Sequence, residues 1–140
     1  MKCLLPLLPC LLLAAAPQDD AKTELAKLEG TWATHYVEID GKELKADIKN
    51  DRLVITGATF TFSGSSKMSG TLKIDPSKKP RTIDTETTEG DHKGTKMIGI
   101  YETDGKRLMV CYCPAPGTRP TEFSTSEKSG RILVIYKRVK

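Results

Sequence analysis

The chain has 140 residues, of which 38% are hydrophobic and 29% charged, so it suits one globular domain with a core and is too short for two. Its net charge is a mild +4, and its basic and acidic residues are interspersed, with Lys78-Lys79-Pro80-Arg81 the one short basic cluster. A nucleic-acid-binding protein needs a concentrated basic face with stacking aromatic residues, so composition disfavours that class and no nucleic-acid partner is expected.

Residues 1–16 have the pattern of an export signal. Lys2 gives a minimal positive start, a leucine-rich run follows, and Ala14-Ala15-Ala16 offers small residues for cleavage. The apolar run is shorter than the about 20 residues that span a membrane, so no span is expected after cleavage. We therefore expect a signal peptide over 1–16, a domain over 17–140 and a periplasmic or extracellular location. Acylation of Cys10 is a weaker alternative, because Pro9 stands where a small residue is expected.

The mature chain begins with a predicted short helix over residues 21–29. Asp19 and Asp20 suit the start of a helix, Leu25 and Leu28 share one face, and Gly30 is a natural C-terminal stop. This helix is expected to act as a plug or lid.

Short strands separated by turn residues follow at regular spacing, which is typical of a barrel or sandwich. In the first strand, strict alternation puts Trp32, Thr34, Tyr36 and Glu38 on one face. Asp104-Gly105 predicts a hairpin turn between two apolar runs. The predicted strands are 30–39, 53–56, 59–63, 68–75, 81–88, 97–103, 108–113 and 131–139.

Eight strands with short connections predict an all-β fold, an antiparallel up-and-down barrel with a short N-terminal helix. Such a barrel is either just filled by side chains or holds one small ligand. The expected lining is Tyr36, Phe60, Phe62, Ile83 and Tyr112.

Catalytic and metal-binding residues are sparse. His35 lies in a strand and His92 in a turn-rich loop, and neither is spaced as part of a catalytic motif. Cys111 and Cys113 lie at i and i+2 of one strand, with Cα atoms roughly 6.5–7 Å apart, at or past the limit for a disulfide. A metal site on these two thiols is disfavoured against small packing residues. We expect no enzyme, no cofactor and no metal.

The segment Arg119-Pro-Thr-Glu-Phe123 follows the hairpin through a Pro/Gly loop. Its charged pair, Arg119 and Glu122, either meets a protein or polysaccharide partner or ties the loop to the barrel, with Phe123 buried. The second interpretation is favoured.

A helix that ends in Gly30-Thr31-Trp32, with Arg138 in the last strand, resembles the opening of lipocalin-like (calycin-type) barrels, where an Arg packs over the Trp at the barrel base. As a set, the motifs resemble a small lipocalin-like domain family expanded in planctomycete bacteria. The resemblance implies a barrel and an exported location, but no specific activity. The further motifs are Leu28-Glu29-Gly30-Thr31-Trp32, Asp40-Gly41-Lys42, Asp75-Pro-Ser-Lys-Lys-Pro80, Ile83-Asp84, Thr88-Glu89-Gly90, Gly99-Ile-Tyr-Glu102 and Arg119-Pro-Thr-Glu-Phe123.

Two functions follow as hypotheses. In the first, the barrel binds a small lipophilic or aromatic molecule. In the second, the barrel is filled and the protein is a non-catalytic interaction or structural module of the cell envelope. An open apolar interior would favour the first, and aromatic side chains that meet without space between them would favour the second.

Overall fold

The structure, a computed structural model, describes residues 17–140. The predicted signal peptide and Cys10 lie outside the described residues. Within 17–140, one helix precedes nine strands, and no helix there is long and apolar enough to cross a membrane. The elements are α1 (Pro17–Leu28), β1 (Gly30–Ile39), β2 (Lys42–Glu43), β3 (Arg52–Thr56), β4 (Thr59–Ser63), β5 (Met68–Asp75), β6 (Arg81–Gly90), β7 (Lys96–Thr103), β8 (Arg107–Pro114) and β9 (Ile132–Arg138).

The strands form a closed antiparallel barrel, which confirms the predicted fold class and is consistent with a lipocalin-like fold. Eight strands, β1 and β3 to β9, pair with their neighbours in chain order, and β1 pairs with β9 to close the ring. The two-residue β2 only extends the top of β1 after the Asp40-Gly41 turn, where both residues have positive φ. Closure leaves the eight barrel strands without a free edge.

Helix α1 closes one end of the barrel, which we call the lower end. It begins at Pro17, earlier than the sequence predicted, so Asp19 and Asp20 lie in its first turn. Leu28 is fully buried, and Ala21 and Leu25 pack against the barrel core. The helix therefore plugs the barrel, as expected. The opposite end, the mouth, carries the loops 40–51, 64–67, 91–95 and 115–131.

A β-bulge in β1 corrects the predicted alternation of this strand. Thr34 pairs with Tyr136 and Tyr36 with Ile135, so His35 is an extra residue in the ladder. Trp32 and Thr34 face inward as predicted, but beyond the bulge the alternation is reversed. Tyr36 consequently lies on the outer face, and its predicted place in the barrel lining is wrong.

Residues 115–131, which we call the strap, lie along the outer face of β7, β8 and β9. An apolar cluster forms beneath the strap, outside the barrel, and Phe123 of the strap packs against it. The other members of this cluster are Tyr36, Ile100, Met109, Cys111 and Leu133. The domain thus has a main core inside the barrel and a smaller one on its wall.

Candidate functional site

The lower half of the barrel is filled by large side chains. Trp32, Tyr101 and Leu108 are at most 1% exposed, and Leu28 of α1 seals them from below. Ile55, Ile74 and Ile83 complete this layer, each less than 10% exposed. No ligand has room here without displacing the core, so this half is the floor of any site above it.

Arg138 fixes the plug to the barrel. Its guanidinium lies 4.2 Å from the centroid of the Trp32 ring and donates hydrogen bonds to the carbonyl oxygens of Lys27 (2.7 Å), Glu29 (2.6 Å) and Gly105 (2.7 Å). The first two carbonyls belong to the end of α1, where helical partners run out. The expected stacking of Arg138 over Trp32 is confirmed.

Gly30 makes this approach of Arg138 possible. Its φ is +130°, a conformation that other residues rarely adopt, and a Cβ atom would lie 2.7 Å from Arg138 Nη1. The Gly-x-Trp motif is therefore explained by the structure of the lower end.

A second polar group at the lower end is also structural. Glu24 of α1, only 7% exposed, pairs with Arg81 at 3.2 Å and accepts a hydrogen bond from the Tyr101 hydroxyl at 3.4 Å. Burial, and next the charge of Glu24, raise the pKa of Tyr101 well above its usual range. These groups satisfy one another and hold the plug against the barrel.

The upper half of the barrel is different, because its inward-facing apolar side chains are partly exposed. Cross-strand partners share a face of the sheet, so the strand pairing places six apolar side chains on the inward face above the core. Leu53, Phe62 and Met68 lie on one wall, and Met97, Tyr112 and Ile132 lie on the other. All six are neither fully buried nor fully exposed. Inside a closed ring, solvent reaches such side chains only through the mouth. We call these six inward-facing, partly exposed side chains the cup; Leu53, Met68, Tyr112 and Ile132 also pack against the main core.

One hydroxyl group of the barrel interior is buried without a hydrogen-bond partner among residues 17–140. Thr34 is only 8% exposed, and its Oγ1 atom is buried and unpaired. Tyr36 and Tyr101 donate to carboxylates. The side chains of Tyr112 and Tyr136 lie on the inward face of β8 and β9. Thr34 and Tyr136 are cross-strand partners on the inward face. A buried hydroxyl without a partner costs about 1–3 kcal/mol, so the Thr34 hydroxyl is a candidate for contact with a ligand.

The same surroundings raise the pKa values of the two tyrosines. Burial, with a smaller effect of Cys111, raises the pKa of Tyr112 to about 12. Burial raises the pKa of Tyr136 well above its usual value, and the charges of Tyr112 and Asp51 add to this effect. The Tyr112 side chain is partly exposed, while burial is the main cause of its raised pKa. Both phenols stay protonated and able to donate at neutral pH.

The five predicted lining residues lie in three different places in the structure. Phe60 and Ile83 are buried in the core, Phe62 and Tyr112 belong to the cup, and Tyr36 lies outside. Sequence reasoning missed Leu53, Met68, Met97 and Ile132, which stand at or near strand ends where alternation gives little signal. It also missed Thr34 and Tyr136 as polar groups, although their inward alternation was visible.

The strap carries the remaining predicted residues. Arg119 Nη1 donates a hydrogen bond to the Gly99 carbonyl oxygen at 2.8 Å. The same atom lies 2.7 Å from Asp84 Oδ1, where it forms an ion pair without the alignment of a hydrogen bond. Phe123 is half-buried, and Glu122 is exposed. Arg119 and Phe123 therefore tie the strap to the barrel as the favoured interpretation expects, and Glu122 does not take part.

The two cysteines lie beneath the strap and are not bridged. Cys111 and Cys113 are buried free thiols whose Sγ atoms donate to the carbonyl oxygens of Ser124 (3.6 Å) and Thr118 (3.0 Å). Burial raises the pKa of Cys111. Within residues 17–140, no group of three or more His, Cys, Asp or Glu side chains is placed to hold a metal ion.

Two surface depressions lie outside the barrel. One, of about 250 Å³, lies between α1 and the Pro76-Ser77 turn. The other, of about 270 Å³, lies on the outer wall of β5 and β6 beside Arg119. Both are wide open to solvent and lined by mixed charges, so neither has the apolar lining of a typical small-molecule site.

Comparison of the chain with protein-family models, curated proteins and solved structures finds no match in any of the three.

Proposed function

We propose that this protein is a non-catalytic binding module that holds the apolar part of a small molecule in the upper half of its barrel. The observation that carries the proposal is the partial exposure of inward-facing apolar side chains at the mouth, above a floor that is filled. Apolar concave surfaces with a few polar groups are the usual form of small-molecule sites. The unpaired hydroxyl of Thr34 supplies such a polar group.

Native mass spectrometry tests this proposal. The protein is purified from its own host and also incubated with a panel of lipids and aromatic metabolites. We expect added mass that disappears on denaturation. A protein that retains no molecule from either source would contradict the proposal.

Two tryptophan variants locate the binding. Met97→Trp places a large ring in the cup and is expected to abolish retention. Val54→Trp is the matched control, because Val54 is 36% exposed on the outer face of β3. Equal retention by both variants would place the bound molecule elsewhere on the surface.

The second candidate is an interaction module of the cell envelope, and the filled lower half favours it. In this case the surface, above all the strap with exposed Glu122, would carry the function. Capture of one envelope component by the wild type and its loss in Glu122→Lys, with unchanged melting temperature, would support this candidate over the first.

Both candidates assume export, which we propose from residues 1–16. The N-terminal sequence of the protein recovered from the envelope or the medium tests this. A start near residue 17 supports export, and an intact Met1 in the cytosol contradicts it.

A further inference from the structure

The polar groups of the cup restrict the class of molecule that it can take. We propose that the ligand is neutral and compact, and that it carries a hydrogen-bond acceptor, such as a ketone, ester or ether oxygen, beside an apolar body. This inference rests on the proposed function, since it concerns the same site.

The acceptor follows from three inward-facing hydroxyls on one wall of the barrel, of which that of Thr34 is buried without a partner in the described part of the chain. Thr34, Tyr112 and Tyr136 each offer an O–H donor, and Thr34 Oγ1 is buried without any partner among residues 17–140. Tyr112 lies on β8, Tyr136 on β9 and Thr34 on β1, which are three consecutive strands of the closed ring. An acceptor oxygen of a ligand that faces this wall can therefore receive a hydrogen bond from one of these hydroxyls. The apolar body of the ligand would contact Phe62 and Met68 on the opposite wall.

Neutrality follows from the charges that face inward. Arg81 and Arg138 are the inward-facing cations of the described strands, and both lie at the lower end, paired with Glu24 and with backbone carbonyls. Asp51, beside the upper end of β3, is 4% exposed and accepts hydrogen bonds from Ser65 N (2.7 Å) and Oγ (2.9 Å). Its negative charge acts on the inward-facing Tyr136.

Each charged class of ligand is disfavoured by this arrangement. A carboxylate in the cup would lose water without gaining a cation, and it would approach the negative charge of Asp51. An ammonium group would find the carboxylate of Asp51 already occupied by Ser65. A neutral acceptor avoids both costs.

The size limit follows from the floor. The layer of Trp32, Tyr101 and Leu108 leaves no space below the middle of the barrel. The proposed ligand is therefore a molecule of one or two fused rings, or a short chain, because a long acyl chain would have to extend into solvent.

Four naphthalenes of similar shape test the inference on the intact protein: 2-acetylnaphthalene, 2-ethylnaphthalene, 2-naphthoate and 2-naphthylmethylammonium. Amide chemical shifts in NMR titrations give the affinity and the location together. We expect the ketone to bind about fivefold more tightly than the ethyl compound, which is the effect of one neutral hydrogen bond. Both ions are expected to bind at least about tenfold more weakly than the ketone.

Three variants assign the donor. Tyr136→Phe is expected to weaken the ketone to the affinity of the ethyl compound and to leave the ethyl compound unchanged. Thr34→Val serves in the same way if Tyr136→Phe fails to fold. Tyr36→Phe is the matched control, because it removes a tyrosine hydroxyl from the outer face.

A fourth variant tests the role of charge. Met97→Lys adds a cation to the cup and is expected to raise the affinity for 2-naphthoate about tenfold or more.

The outcomes of these titrations distinguish a failure of this inference from a failure of the proposed binding function. If 2-naphthoate or the ammonium compound binds as tightly as the ketone, with shifts at inward-facing residues, the inference fails and the binding function stands. If no probe shifts an inward-facing residue, both fail. The expected order of affinities, with loss of the ketone preference in Tyr136→Phe or Thr34→Val and not in Tyr36→Phe, supports both.

Discussion

Arg138 is expected to contribute more to stability than any other single side chain at the surface of the lower end. The change Arg138→Ala removes three hydrogen bonds to carbonyl oxygens and the contact with the Trp32 ring. It leaves the last carbonyls of α1 without these donors, so the plug loses its main polar attachment.

The expected cost can be worked out from these contacts. A hydrogen bond to a charged group contributes about 1.5–3 kcal/mol when buried, and Arg138 is partly exposed, so about 0.5–1 kcal/mol for each of the three is reasonable. The cation–π contact adds about 0.5–1 kcal/mol, and a positive charge at a helix C-terminus adds about 0.3–1 kcal/mol. Because these contributions share one side chain and are not additive, we expect a loss of about 3 kcal/mol. For a domain of this size, the melting temperature should fall by about 10 °C.

Urea unfolding followed by tryptophan fluorescence measures this loss directly, because Trp32 is the single tryptophan of the chain and lies under Arg138. Arg138→Lys keeps the charge but loses the planar group that reaches three carbonyls, so it should cost about half as much. Arg107→Ala is the control, since Arg107 is exposed at the start of β8, and it should cost less than about 0.5 kcal/mol. A cost of Arg138→Ala below about 1 kcal/mol, or one equal to that of Arg107→Ala, would refute this account of the lower end.

Three further predictions concern the core and the strap. The pKa of Tyr112 is raised from 10.0 to about 12, so its contribution to stability is complete below pH 10 and is lost as the pH rises towards 12. In an alkaline titration, tyrosinate absorbance of Tyr112 should therefore appear together with unfolding, and its appearance in the folded protein near pH 10 would contradict the burial. Cys111 and Cys113 should resist iodoacetamide in the native protein and react in urea, because both thiols are buried and burial raises the pKa of Cys111. Peptide mapping of the alkylated protein would show the difference. Rapid alkylation of the native protein would mean that the strap opens. Thr34→Val should stabilise the ligand-free protein by about 1 kcal/mol, because it removes an unpaired buried hydroxyl at constant side-chain shape. A loss of stability in thermal unfolding would mean that Thr34 Oγ1 has a partner.

Much of the barrel could be predicted because its signals are local. Alternation, turn residues such as Asp104-Gly105, and the short connections between strands gave the eight strands and their antiparallel order. The Gly-x-Trp motif and Arg138 also pointed to the lower end. These features depend on φ angles, side-chain size and chain length between strands, all of which can be read from the sequence.

The bulge at His35 could not be predicted, and it changed the candidate site. Residues 32–38 alternate without a glycine or proline that would mark an irregularity. The bulge is defined by the register with β9, a strand almost 100 residues later, where Thr34 pairs with Tyr136 and Tyr36 with Ile135. One extra residue reverses the face of all that follow it, so Tyr36 moved to the wall and Val37 took its place inside.

Whether the barrel interior is open or filled also depends on nonlocal geometry, which the sequence does not reveal. In the structure the lower half is filled, whereas the upper half is partly exposed. Large side chains and α1 fill the lower half, while the upper half keeps partly exposed side chains and an unpaired threonine hydroxyl. A folded domain tolerates a penalty of about 1–3 kcal/mol of this kind only where other contacts exceed it. The plug contacts of Arg138, Glu24 and Trp32 are all at the lower end, remote from the mouth, and none of them involves Thr34. The free energy of unfolding should therefore depend more strongly on these plug contacts than on the Thr34 hydroxyl.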